Sequence, residues 1–133
     1  MGMYQYVREA WKKPRESLGK IWKDRMIAWA DGPSIIRVER PTRIDRARSL
    51  GYRAKQGYLI ARVKLLRMGR MRPKFAGGRK PKNMRRKKVV HMSYGWIAEQ
   101  RAERAYVNCT ALNSYYVGET GKYFWYEVIL VDK

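Results

Sequence analysis

The sequence predicts an α+β protein: a small, mainly antiparallel sheet of about four strands with packed helices, N-terminal helices and a long basic insertion. Three observations support this class. Residues 1–33 show helical spacing of apolar residues, two strongly β-prone runs close the chain, and residues 67–92 follow neither period. With 133 residues, 45% of them hydrophobic, we expect residues 1–133 to form one domain with a modest core.

Residues 1–33 are predicted to form an N-terminal helical segment. Tyr4, Val7 and Trp11 recur at i, i+3 and i+7, which indicates a short amphipathic helix that Pro14 ends. Ser17 is expected to cap a second helix, which stops at an Asp-Gly-Pro sequence. The tryptophans of this segment lie at helical spacing among apolar neighbours. We therefore predict that they pack against the main body, with base stacking as the alternative.

A strand and a short helix are predicted next. Residues 35–40 alternate loosely, which favours a strand. Thr42 and Asp45 have the spacing of a capping box, so a helix is expected over residues 43–50, with Gly51 as its left-handed C-terminal residue. Arg43 and the two arginines that follow it on this helix are expected to face outward.

The remaining sheet is predicted from three further runs. Residues 58–65 alternate cleanly, which indicates a strand with one buried face. Ser93 is expected to cap a helix over residues 94–106, with an apolar stripe that includes Ala105. Residues 107–117 and 123–131 are rich in Tyr, Val, Ile and Phe and predict two strands joined by a hairpin loop at residues 118–121.

The insertion at residues 67–92 carries the strongest signal in the chain. Residues 67–88 hold eleven Lys and Arg and no Asp or Glu, and their prolines and paired glycines interrupt regular structure. Such a segment cannot bury enough apolar surface to offset the entropy of ordering, and its charges repel each other. We expect it to be disordered alone and to fold on a polyanion. A solvated linker is the alternative, but a linker needs no such charge.

Composition excludes several other classes. The net charge is +20, while residues 92–133 hold four basic and five acidic residues, so one region is predicted to contact a polyanion. Cys109 is the only cysteine, which fits a reducing, cytoplasmic setting and excludes an intramolecular disulfide. Cys109 is expected to be a small buried apolar group. No run is apolar enough for a membrane span, and no set of residues has metal-ligand spacing. We predict no enzyme activity, cofactor, metal, small-molecule substrate or membrane partner.

Residues 40–58 resemble the central signature of a ribosomal protein family. They read Arg-Pro-Thr-Arg-Ile-Asp-Arg-Ala-Arg-Ser-Leu-Gly-Tyr-Arg-Ala-Lys-Gln-Gly-Tyr. Residues 98–102, 112–119 and 127–132 agree with the same family, the archaeal and eukaryotic type of large-subunit ribosomal protein fifteen. This family is distinct from the bacterial protein of the same number. Tyr116 replaces the usual Trp and Thr120 a usual acidic residue. Members of the family continue with a further basic C-terminal extension, which this sequence, ending at Lys133 as a fragment or a shortened version, is expected to lack.

The resemblance implies a structural constituent of the large ribosomal subunit. Its expected partners are large-subunit rRNA and neighbouring ribosomal proteins. RNA is recognised through phosphates, 2′-hydroxyls, shape and unstacked bases, which suits two arginine-rich segments. A basic, chromatin-type protein that binds duplex DNA is the alternative, because composition does not distinguish the two polyanions.

Two groups of residues are predicted to contact RNA. The first, here called the arginine-rich segment, lies within residues 40–56 and consists of Arg40, Thr42, Arg43, Arg46, Arg48, Tyr52, Arg53, Lys55 and Gln56. Within it Tyr52 either stacks on a base or packs half-buried. The second lies in the insertion and consists of Arg67, Arg70, Arg72, Lys74, Arg79, Lys80, Lys82, Arg85, Arg86, Lys87 and Lys88.

Overall fold

One antiparallel sheet, covered by helices on both faces, organises the chain. The computed structural model describes residues 2–67, 69–71, 74, 77–78, 80–83, 87–88 and 91–133, with only the backbone of residues 70, 71, 83, 87 and 88. The helices are α1 Met3–Ala10, α2 Pro14–Asp31, α3 Ile44–Ser49 and α4 Tyr94–Ala105. The strands are β1 Ile35–Val38, β2 Tyr58–Leu66, β3 Arg70–Met71, β4 Lys87–Lys88, β5 Cys109–Glu119 and β6 Tyr123–Asp132, and Pro81–Asn83 form a 3₁₀ turn.

The main sheet has the strand order β1-β2-β6-β5, and every neighbouring pair is antiparallel. The predicted α+β class with about four strands is therefore confirmed. β6 is a central strand because its run of large β-prone residues packs on both faces of the sheet. β5 is an edge strand, with register shifts between Ala111 and Asn113 and between Tyr116 and Gly118.

The two faces of the sheet form separate parts of the core. On one face, Ala61, Val63 and Leu65 of β2 pack with Ile97 and other residues of α4. The buried Cys109 belongs to this group, as predicted. On the other face, α2 and α3 cover the sheet, and the fully buried residues there include Ile60, Trp125 and Ile129. The prediction that β2 buries only one face is wrong, because α2 covers the face that carries its polar residues.

Helix α2 lies against this second face through its aromatic side chains. Trp22 is buried and Trp29 packs edge-on against Trp125, so the predicted packing role of these tryptophans is confirmed. Lys64 of β2 donates hydrogen bonds from Nζ to the carbonyl oxygens of Ala30 and Gly32, at 2.9 and 2.7 Å. A lysine there satisfies carbonyls that the helix end leaves unpaired and complements the negative end of the helix dipole.

Several predicted boundaries are wrong for local reasons. α2 begins at Pro14 instead of near Ser17, because proline fits the first helical position, where no N–H bond is needed. Gly19 then kinks the helix with a φ of 48°. β5 continues to Glu119, so the hairpin loop is residues 120–122 and Gly118 belongs to the strand.

Other local predictions agree with the structure, with small exceptions. The Ser93 side chain caps α4 by accepting a hydrogen bond from the Trp96 amide at 3.2 Å. Gly51 has a φ of 100° and ends α3 as expected. Ala105 is exposed and does not belong to the apolar stripe of α4. Strand β1 ends at Val38, two residues before its predicted end.

Replacing Ile129 by Ala is expected to lower the free energy of unfolding by about 2–4 kcal/mol, because it leaves a cavity between the sheet and α2. Chemical denaturation of the isolated chain measures the change. Ile27→Ala is the matched control, because Ile27 is 65% exposed on α2. That substitution should change the stability by less than about 0.5 kcal/mol. Equal losses from both substitutions would contradict the assignment of Ile129 to the core.

Candidate nucleic-acid interface

Helix α3 lies in the middle of the arginine-rich segment, and the turn before it is fixed to the sheet through a buried carboxylate. Glu127 has no solvent exposure and lies in the middle of β6. Its side chain accepts hydrogen bonds from the Thr42 amide at 3.0 Å, from the Thr42 hydroxyl and from the Tyr115 hydroxyl. The Nη1 atom of Arg62 lies 3.9 Å from Oε1 of the same carboxylate. We refer to these four residues as the Glu127 cluster.

The sheet register explains why these residues meet. Glu127 pairs with Arg62 of β2 on one side and with Tyr115 of β5 on the other. Directly opposed residues of antiparallel strands project from the same face, so three polar side chains of the cluster are adjacent. The turn before α3 completes the cluster through Thr42. A buried carboxylate is tolerated here because its oxygens are hydrogen-bonded.

The cluster shifts the pKa of Tyr115 and of Arg62. Burial raises the pKa of Tyr115, and the charge and hydrogen bond of Glu127 raise it further. Burial lowers the pKa of Arg62, an effect that the charge of Glu127 opposes. The Arg62 guanidinium also lies 4.0 Å from the centre of the Trp29 ring. Arg62 therefore joins α2 to the cluster through a cation–π contact.

Thr42 and Arg43 do not have the roles that their sequence spacing predicts. Arg43 is the N-cap of α3, and no side chain caps this helix. The Thr42 hydroxyl instead donates to Glu127, which is wholly buried and charged and so a stronger acceptor. Arg43 is half-buried, where an outward position was expected. Its Nη1 donates to the Tyr116 carbonyl at 3.2 Å, and its guanidinium carbon lies 5.3 Å from the centre of the Trp11 ring.

The rest of the arginine-rich segment is directed to solvent. Ala47 is fully buried on the inner side of α3, and its neighbours Arg46 and Arg48 are exposed, as predicted. The other exposed members are Arg40, Arg53, Lys55 and Gln56. Tyr52 is half-buried and packs against the core beside α3, which agrees with one of its two predicted roles. Its role in base stacking stays a prediction.

An open cavity adjoins this segment. Its volume is about 750 Å³, and its lining includes Arg37, Tyr52, Lys55, Gln56 and Tyr58. The Lys55 ammonium lies 5.6 Å from the centre of the Tyr58 ring. Arg37 is not among the site residues predicted from the sequence. Its position in β1, directly before the arginine-rich segment, was the available signal.

The basic insertion leaves the body at β2 and returns at α4. Arg67, at its base, donates from Nη1 to the Thr120 carbonyl at 2.9 Å and lies 3.5 Å from the Glu119 carboxylate. The Arg67 side chain therefore already has protein partners, although it stays exposed. Lys74, Lys80 and Lys82 are exposed.

The remaining predicted residues of the insertion are described in part or not at all. Arg70 and Met71 pair with Lys88 and Lys87 in a two-stranded antiparallel ladder, of which only the backbone is described. The ladder departs from the expectation that no regular element forms there. The predicted residues that lie outside the described residues are Arg72, Arg79, Arg85 and Arg86. The proposed ordering of the insertion on a polyanion stays a prediction.

The role of Glu127 was not predicted from the sequence, where it is a carboxylate that interrupts a β-prone run of large apolar side chains. That interruption was the available signal, since a charge in a central strand requires partners. Across the described ranges, no helix is long and apolar enough to cross a membrane. The same residues contain no group of three or more His, Cys, Asp or Glu placed to hold a metal ion.

Comparison with known proteins gives a match across nearly the entire chain. Residues 2–133 match the protein family described as ribosomal L15. A protein of Nanoarchaeum equitans, named large ribosomal subunit protein eL15, is 51% identical over 132 residues, which cover 99% of this chain and 70% of the relative. A protein of the same name from Thermoplasma volcanium is 49% identical over 133 residues, covering 98% of this chain and 68% of that relative.

Replacing Glu127 by Gln is expected to lower the free energy of unfolding by about 2–4 kcal/mol, because the amide cannot accept all the hydrogen bonds of the carboxylate. Urea denaturation at neutral pH measures the loss. Glu16→Gln is the matched control, because the Glu16 side chain is 72% exposed and pairs only with Lys13 among the described residues. The control should change stability by less than about 0.5 kcal/mol. A Glu127→Gln effect as small as this would refute the structural role of the cluster.

Stability is expected to fall as the pH rises above 10, the ordinary pKa of tyrosine. The folded protein raises the pKa of Tyr115, so the unfolded state loses this proton first and is favoured at alkaline pH. Tyr115→Phe should weaken the pH dependence between pH 10 and 12, measured by urea denaturation at several pH values. Tyr6→Phe is the control, because Tyr6 is 59% exposed. The same pH dependence in both variants would show that Tyr115 ionises freely in the folded state.

Proposed function

Because the chain belongs to the ribosomal L15e family, we propose that it is a structural component of the large ribosomal subunit that binds the subunit's main RNA. In this role it neutralises phosphates where RNA helices crowd together and stabilises their packing without catalysing a reaction. Its partners are large-subunit rRNA and neighbouring ribosomal proteins. It therefore works in the cytoplasm, in the assembled subunit.

The observation that carries this proposal is the outward display of cations by α3 and the loop after it. Arg40, Arg46, Arg48, Arg53 and Lys55 are exposed, and within the described part of the chain none of them forms an ion pair. The one acidic residue of the segment, Asp45, is buried. A set of cations without internal counter-charges attracts a polyanion, and arginine forks suit phosphate oxygens.

The fold makes this display rigid. Ala47 anchors α3 in the core, and the Glu127 cluster fixes the turn before it. The backbone of the arginines is therefore ordered before RNA arrives, so binding loses less conformational entropy than it would from a free chain. The basic insertion supplies further charge at the entropic cost of ordering its residues on the RNA.

Helix α4 differs from the arginine-rich segment in charge, which supports an oriented position at an RNA surface. It covers the opposite face of the sheet from α3, and its two arginines are balanced by two glutamates. Glu99 and Glu103 of α4 form hydrogen bonds to β5. We propose that the α4 side faces away from the main RNA contact, toward solvent or a protein neighbour.

A duplex DNA-binding role is the second candidate, since phosphates attract the same cations. The names of the relatives favour RNA, because both are described as large ribosomal subunit proteins. Half-buried Tyr52 beside the 750 Å³ cavity also favours RNA, whose unpaired bases stack on aromatic rings.

If the chain contacts about eight phosphates, a plot of log affinity against log salt should have a slope near −6. Filter binding of the chain to a large-subunit rRNA fragment between low and high salt measures this slope. Competition with duplex DNA at equal nucleotide concentration then compares the two candidates. We expect rRNA to compete more strongly than DNA. Equal competition would favour the DNA role, and affinity that does not vary with salt would overturn both.

Substitution of Arg46 and Arg48 together by Gln should reduce rRNA affinity by about tenfold, because two phosphate contacts are lost. The double variant Arg101→Gln/Arg104→Gln removes the same charge from exposed positions of α4 and is the matched control. Binding measured at one salt concentration should be weakened much less by the control. The thermal midpoint of both variants should stay near that of the parent. Equal losses of affinity would contradict the assignment of the interface to α3.

A further inference from the structure

A second cavity lies between the turn that joins α1 to α2 and the end of β5. Its volume is about 450 Å³, which is within the range of ligand pockets. The residues that line it include Trp11, Lys12, Arg15, Arg43 and Tyr116. We call it the Trp11 cleft. Of these five residues only Arg43 belongs to the two groups predicted to contact RNA, and base stacking by Trp11 was the alternative to its packing role.

The inner wall of the cleft is a fixed aromatic surface. Trp22 is buried there and lies so close to Gly118 that a Cβ at this glycine would be 2.8 Å from the Trp22 ring. Trp11 packs edge-on against Trp22, with 5.7 Å between the ring centres. This contact holds the half-buried Trp11 in place without filling the cleft. The aromatic wall is therefore formed before any ligand binds.

Arg43 brings a polar group to this wall. Its guanidinium carbon lies 5.3 Å from the centre of the Trp11 ring, and its Nη1 donates to the Tyr116 carbonyl. Its Nε is buried and has no hydrogen-bond partner in the described part of the chain. A buried donor without a partner is unfavourable, so a ligand with an acceptor would improve this site.

The entrance to the cleft is positively charged. Lys12 and Lys13 lie in the turn between the helices and Arg15 lies in the first turn of α2; Lys12 and Arg15 form no ion pair with a described residue. Of the two carboxylates that line the cleft, Glu16 pairs with Lys13 and Glu119 with Arg67. The cleft thus combines an aromatic wall, a donor and free cations.

We propose that the Trp11 cleft receives one unstacked nucleotide of the RNA, with the base against Trp11 and Arg43 and a phosphate on the cations of the turn. This inference rests on the proposed RNA-binding function and adds a base contact to it. Unstacked RNA bases bind on aromatic rings and arginine planes, and both types of side chain meet here. The surplus of cations favours a nucleotide over an apolar peptide segment, which would leave these charges unpaired.

The test compares single-stranded hexaadenylate with a 12-base-pair RNA duplex. Fluorescence anisotropy measures the affinity of the 133-residue chain for each labelled RNA at one salt concentration. The cleft variant is Lys12→Gln/Lys13→Gln/Arg15→Gln, and the control Lys20→Gln/Lys23→Gln/Lys122→Gln removes the same charge from exposed residues outside the cleft. We expect the cleft variant to bind hexaadenylate several-fold more weakly than the control, while both bind the duplex equally.

Trp11 provides a second readout. Trp11→Ala should reduce hexaadenylate affinity on the order of tenfold, since stacking on an aromatic ring contributes substantially to single-strand binding. Because Trp11 also packs on Trp22, Trp11→Phe is measured as well, in a Trp96→Phe background that removes the half-exposed tryptophan of α4. Hexaadenylate should quench the tryptophan fluorescence of the background protein. It should quench the Trp11→Phe protein much less.

The outcomes separate this inference from the proposed function. If the parent binds both RNAs and the cleft variant binds hexaadenylate like the control, with equal quenching, the cleft is not a nucleotide site and RNA binding stands. If the parent binds neither RNA, the proposed function itself fails. Weaker hexaadenylate binding in the cleft variants alone supports the base contact.

Discussion

The buried carboxylate of Glu127 determines how the charged part of this protein is attached to its apolar part. It lies in a central strand between Arg62 and Tyr115 and accepts two hydrogen bonds from Thr42. An unpaired charge at this depth would be strongly unfavourable, so each partner is needed where it is. The turn that precedes α3 can therefore take only the position that brings Thr42 to the carboxylate. The position of this turn sets the orientation of α3 and therefore the direction in which its arginines project.

The same constraint explains why the two faces of the sheet differ. The buried side chains of the face under α4 are aliphatic except for Cys109, with partly buried aromatic rings packed around them, and Glu99 and Glu103 form polar contacts to β5. The face under α2 and α3 contains Glu127, Arg62 and large aromatic rings. Aromatic rings and guanidinium groups pack together there because cation–π contacts satisfy both. Arginine side chains therefore also stabilise the interior of the face on which α3 and its exposed arginines lie.

Rules based on residue spacing correctly predicted features that depend on neighbouring residues in the sequence. They failed for residues whose role depends on a contact with a residue far away in the sequence. The Ser93 cap, the left-handed Gly51 and the exposed Arg46 and Arg48 follow from spacing alone. Thr42 has the spacing of a helix cap, but its hydroxyl bonds to a residue 85 positions away. Gly118 was predicted to be a loop residue, yet it pairs with Trp125 in the sheet, and a side chain at this position would collide with Trp22. No spacing rule contains information on such contacts, since only the folded sheet brings the partners together.

In our proposal, helix α3 and the basic insertion contribute differently to RNA binding. The exposed cations of α3 are ordered by the core, so they can set the orientation of the protein at little entropic cost. The insertion carries more charge in residues 67–88 than any other region, but ordering its glycines and prolines on RNA consumes part of that attraction. In this proposal the preordered cations of α3 set the geometry, and the insertion adds charge and reach as it orders on the RNA. Cations that were all ordered only on binding would leave nothing to fix the direction of the protein, because every contact would then carry a cost in conformational entropy.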